Sequence, residues 1–164
     1  MTISVTIDDK AARDALARLS GLDLAQMLRG VGEVLTNSTR ERLAAGVDVQ
    51  GKPFVPLSPL TQQLKKKNKT KPLIREGDLF RELSYQLVNG GRALEFGSDR
   101  KYAALQQFGG VVKPKTARAL HLGGKVFAKQ VVIPARPFIG FTAQDEQMIL
   151  ANIADHIEKQ LNAK

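Results

Sequence analysis

The chain has no cysteine and no tryptophan, only two histidines, and 5% aromatic residues in a length of 164. The first absence excludes disulfides, thiol nucleophiles and thiolate metal sites together. His121 and His156 lie far apart in sequence and suit surface or packing roles, so neither a metal nor any other cofactor is expected. No run approaches the roughly 18 to 20 uncharged apolar residues of a bilayer span. The opening MTISVTIDDK also lacks the basic-then-apolar layout of a signal peptide, so the expectation is a cytosolic product with no membrane partner. Nucleophile elbow, P-loop, dinucleotide glycine fingerprint and metal-ligand cluster are all missing, which argues against an enzyme. Acidic pairs such as Asp8 with Asp9, and Asp145 with Glu146, sit at helix starts, where the helix dipole already favours them.

What is present is enough apolar material, 43%, for one domain spanning residues 1–164. Lys and Arg number 25 against 16 Asp and Glu, a formal +9 that favours an anionic partner, either nucleic acid or an acidic protein surface. Five of those charges, Lys65, Lys66, Lys67, Lys69 and Lys71, fall within the seven residues KKKNKTK. Such a run reads as an extended, solvated loop outside the fold, suited to electrostatic docking on an acidic partner surface or on phosphates. With no aromatic residue inside it, it offers no stacking platform for single-stranded nucleic acid.

Ile3, Val5 and Ile7 alternate with polar residues as in a half-buried strand, and Asp8 or Asp9 can cap a short helix carrying Ala12, Leu16 and Leu19. A long helix follows from Asp23, with Leu24, Met27, Leu28, Val31 and Leu35 at helical spacing as far as about Leu43. Its polar stretch TNSTRER is expected to face water or a neighbouring subunit. Residues 46–72 form an extended crossing rich in proline and lysine, anchored by Phe54, Val55 and Leu57, with Ser58 capping a short helix. Asp78, Leu79, Leu83 and Leu87 predict a short helix running into a strand, and Asn89-Gly90-Gly91 supplies the turn to a return strand whose Leu94 and Phe96 point inward.

YAALQQFGG reads as a short helix with Tyr102 and Phe108 as buried anchors, and residues 111–130 as an arm or loose hairpin. Val131 to Ile133 returns to strand. Thr142 with Asp145 then forms a capping box for a terminal helix that lays Met148, Ile149, Ile153, Ile157 and Leu161 on the sheet. The class is therefore α+β: a small antiparallel sheet packed by a long N-terminal helix and a C-terminal helix, with extended loops.

Four separated segments, GKPFVPLSPLTQQLKKK from Gly51, LIREGDLFRELSY from Leu73, YAALQQFGG from Tyr102 and IPARPFIGFTAQD from Ile133, resemble in order the pattern of the phage virion morphogenesis, or tail-completion, family. Phe54 stands where that family often has tryptophan. The resemblance implies a structural subunit that completes the tail or the head-tail neck as a homo-oligomeric ring, six- or twelve-fold. It would be made in host cytoplasm, carried in the virion, and placed against other neck and tail proteins, with nonspecific contact to packaged DNA. Arg136, Phe138, Phe54, Tyr102 and Phe108 are the expected subunit-contact residues. The competing reading is a basic DNA-binding or DNA-packaging accessory protein, which rests on the pI of about 10.0 and the lysine run.

Overall fold

A computed structural model of the chain describes residue 21 and residues 23–162. The expected strand at Ile3, Val5 and Ile7 and the helix bearing Ala12, Leu16 and Leu19 lie outside the described residues. Helix α1 spans Leu24–Ala45. It begins where the Asp23 carboxylate accepts from the Gln26 amide at 3.0 Å, and ends at Gly46, whose left-handed φ of 77° lets its N–H reach back to the carbonyls of Arg42 and Leu43. Ser58 caps α2 (Pro59–Leu64), with Pro59 in the first turn, where a missing N–H is harmless.

The four-residue helix α3 (Asp78–Arg81) leads into β1 (Ser84–Val88). The turn at Asn89, Gly90 and Gly91, all at positive φ, returns the chain as β2 (Ala93–Gly97). Tyr85 faces Phe96 and Leu87 faces Leu94 across this hairpin, and α1 packs on it. The fit is close enough that a Cβ on Gly32 would lie about 2.5 Å from the Tyr85 ring. After α4 (Ala103–Phe108), β3 (Gly110–Val112) pairs with β6 (Val131–Ile133), and between them β4 (Leu120–Gly123) pairs with β5 (Val126–Ala128). The described strands thus form three separate two-stranded antiparallel ribbons rather than one sheet. Prolines 114 and 134, which cannot donate to a ladder, flank the shortest of them.

The core gathers at the C-terminal end of α1, where Leu43, Phe54, Leu79, Leu83, Ala103 and Phe138 are buried together. Full burial of each large apolar side chain is worth about 1.5–3 kcal/mol. The terminal helix α5 (Ala143–Asn162) lies against α1, not on a sheet as its apolar stripe suggested. Met148, Ile149, Ile153, Ile157 and Leu161 are accordingly only half-buried.

Only part of the TNSTRER stretch faces water: Asn37 and Glu41 are exposed, and the rest turns inward. Thr36, Ser38, Thr39 and Arg42 are buried, and α5 brings Asp145, 0% exposed, against Ser38 and Arg42. The Asp145 carboxylate accepts from Arg42 Nη1 at 2.8 Å, from the Ser38 hydroxyl, and from the Thr142 amide at 2.9 Å. The Asp145 amide donates in return to Thr142 Oγ1 at 3.0 Å, which completes the capping box. Arg42 also donates to Thr39 Oγ1 and to the Gly140 carbonyl, so one guanidinium ties α1 to both α5 and the segment before it.

Burial alone would raise the Asp145 carboxyl. The hydrogen bonds from Ser38 and Thr142, with the charge of Arg42, outweigh it and hold the group below its ordinary value of 3.8. A depressed carboxylate stabilises the fold above 3.8, and that contribution is lost as pH falls through the lower, folded value. Asp145→Ala, which strands a buried guanidinium, should cost about 3–5 kcal/mol in denaturant unfolding at neutral pH. The variant should also lose part of the acid-induced fall in stability. A wild-type stability indifferent to acid, or an unaffected variant, would contradict the placement.

Candidate functional site

Three of the four segments singled out above converge on Arg136. Its amide donates to the Gln106 carbonyl at 2.7 Å, Nη1 to Gln106 Oε1 at 3.2 Å, Nε to the Val55 carbonyl at 2.8 Å and Nη2 to the Pro56 carbonyl at 3.2 Å. The planar fork suits three oxygens arrayed around it. Gln107 does the same work one residue on: its Oε1 accepts from the amides of Phe138 and Ile139, each at 3.0 Å, and its Nε2 donates to the Ile139 carbonyl. The two glutamines stand in for a neighbouring strand beside a proline-interrupted backbone that could not build a ladder. Gly109 makes the approach possible. Its φ is 71°, and a Cβ there would sit 2.7 Å from the Ala135 amide nitrogen.

Arg136 is 5% exposed, and burial lowers the pKa of its guanidinium from the ordinary value while leaving it a cation. Among the described residues it meets carbonyl and amide oxygens rather than a carboxylate. Beside it opens a cleft of about 900 Å³ with apolar walls from Leu60, Leu64, Leu73, Tyr102, Leu122 and Ile133.

The five residues expected to contact a neighbouring subunit fall into two groups, buried and exposed. Phe54 and Phe138 are buried in the chain's own core and have no surface to offer a partner. Arg136 spends its donors within the chain. Tyr102 and Phe108 are not buried anchors, for they are 41% and 78% exposed. α4 is a single six-residue helix that turns Ala103 inward, and Phe108, five positions on, is rotated about 140° from it.

The lysine run is also not uniform. Lys66, Lys67, Lys69 and Lys71 are exposed, but Lys65 is buried and donates to the carbonyls of Lys71 and Ile74, both at 2.8 Å. Burial, then the nearby Arg75, lowers the Lys65 pKa. The loop is consequently pinned to the fold at its first residue, with a turn at Asn68 (φ 48°) rather than an extended path.

Sequence reasoning passed over Gln106, Gln107 and the buried role of Lys65. Two adjacent amides inside an otherwise apolar helix were a usable signal for the first two. Arg136→Lys, which cannot span three oxygens, should lower stability by about 1–3 kcal/mol, read as a shift in the denaturant midpoint at constant slope. Lys65→Met should cost a similar amount, roughly 1–3 kcal/mol, because two carbonyls lose their donor. Serine at Lys66, Lys67, Lys69 and Lys71 should stay within about 0.5 kcal/mol each. Equal effects at Lys65 and Lys66 would show that the pin is unimportant.

With this geometry in hand, comparison with known proteins is informative. The phage virion morphogenesis family matches residues 7–158. The Mu-like prophage FluMu G protein 2 of Haemophilus influenzae is 33% identical over 87 residues, 53% of this chain and 52% of that protein, so the match spans about half of each. Tail completion protein S of Escherichia phage P2 is 30% identical over 129 residues, 76% of this chain and 78% of that protein. No solved structure is significantly similar to the chain. The chain belongs to the phage virion morphogenesis family.

Proposed function

We propose that the protein is a structural subunit of the phage particle that completes the tail, acting as a ring at the junction where tail meets head. The observation that carries this is a family match running through nearly all of the chain, joined by likeness over 78% of a protein named for tail completion. The fold is consistent with such a role. Its rigid part is a helix pair locked by Arg42 and Asp145, with a core at one end, and from this body residues 108–132 extend as two ribbons exposing Phe108, Val111, Phe127 and Val132. Exposed apolar side chains gathered in one segment mark a contact surface. Assembly would take place in the host cytoplasm, and the finished protein would reside in the virion.

A DNA-contacting accessory role keeps one specific observation in its favour, the four exposed lysines beside a basic arm. One experiment separates the two readings. Phage produced without the protein should accumulate DNA-filled heads and separate tails, and purified protein added to that lysate should restore joined, infectious particles seen by electron microscopy. Joined particles of normal infectivity formed without it would overturn the structural reading. Empty heads beside finished tails would favour the packaging role.

A further inference from the structure

Charge is segregated along this chain in a way that its net value hides. Residues 100–144 contain eight Lys and Arg and no Asp or Glu. Five of the eight, Lys113, Lys115, Arg118, Lys125 and Lys129, are exposed on the 108–132 arm. The same arm displays apolar pairs on its solvent side. Val111 faces Val132 across β3 and β6, 55% and 67% exposed, and Phe127 stacks on His121 at 5.0 Å across β4 and β5. The surface of helix α5 has the opposite character: three exposed acids, Glu146, Asp155 and Glu158, against one lysine, Lys159, which pairs with Asp155. Its outward side carries Glu146, Asp155 and Glu158 around exposed Leu150, Ala151 and Ala154.

We propose that the arm of one subunit docks on the outward face of α5 of the next, in a head-to-tail contact between copies of this chain. The idea rests on the ring reading above and specifies how the ring is held. A two-fold contact of arm on arm would set five cations against five, and one of α5 on α5 would set acid against acid; both are repulsive. Only the crossed pairing places basic-apolar on acidic-apolar. A contact between two different patches is heterologous, and such contacts close into rings when the rotation permits. Because the arm and α5 are separate surfaces, every subunit can give one contact and receive another.

The test is a charge swap on the full-length chain, read by sedimentation and by duplex-DNA binding. The arm variant carries Lys113→Glu, Lys115→Glu, Arg118→Glu, Lys125→Glu and Lys129→Glu; the helix variant carries Glu146→Lys, Asp155→Lys and Glu158→Lys. Each alone should associate at least about tenfold more weakly than wild type. Mixing the two should restore assembly, since the acidic arm then meets a basic α5 and the basic arm an acidic one. A single chain carrying both sets should assemble as well, which shows that neither set has damaged the fold. If all variants assemble as wild type does, the docking contact is wrong while the ring stands. Failure of mixed and doubly swapped proteins to recover also overturns the contact. An arm variant that loses DNA binding but assembles normally makes the arm a phosphate-contacting surface instead. A wild type that stays monomeric, both free and in particles, removes the ring and the contact together.

Discussion

The buried pair of Arg42 and Asp145 governs how the long helices meet. Each charge is withdrawn from water, a cost of several kcal/mol per ion, which the pair and the hydrogen bonds with Ser38, Thr39, Thr142 and Gly140 offset, while Arg42 Nε has no hydrogen-bond partner among the described residues. The stripe of α5 that meets α1 is only half-buried, so apolar contact specifies the helix pairing loosely. The ion pair demands one register and one rotation. It also couples that register to the start of α5, because the carboxylate that receives Arg42 is the same one that caps the helix.

From that fixed pair the chain builds outward to a second buried cation of a different kind. Arg136 meets neutral oxygens drawn from the 46–72 crossing and from α4. Their dipoles spread the stabilisation over several backbone groups, none of which titrates. The crossing, α4 and the Ala135–Ile139 segment behave as one unit because two glutamine side chains and one guanidinium replace the ladder that proline forbids. The arm on residues 108–132 leaves this unit at both of its roots, so its base is held even though its faces are open to solvent.

Local chemistry was readable in the sequence wherever partners lie a few residues apart. Asp23, Ser58, the Asn89-Gly90-Gly91 turn and the Thr142–Asp145 box all act as spacing and side-chain type indicate. What escaped was chemistry between distant residues. TNSTRER has the composition of a wetted face, and Asp145, 103 positions from Arg42, gives Ser38 and Arg42 of it a buried partner. Lys65 is identical to its neighbours in kind, and its burial follows from where Lys71 and Ile74 turn their carbonyls. Phe108 carries an apolar signal strong enough to suggest packing, but α4 is too short to bring both of its ends inward. The family pattern was legible because its segments are glycine, proline and aromatic signatures, yet the convergence of three of them on Arg136 required the fold.

Two-stranded ribbons have a chemical liability. Among the described residues every strand in them is an edge, with N–H and C=O groups able to template a further strand from another molecule. Here Lys113 follows β3 directly, and Lys125 and Lys129 bracket β5, so two of these edges are flanked by cations that oppose strand addition. Screening limits that guard to about 8 Å at physiological ionic strength. It therefore acts only on molecules already nearly in contact, and it weakens as salt rises. The tendency of the protein to add strands edge to edge is in this way tied to the ionic strength of its surroundings.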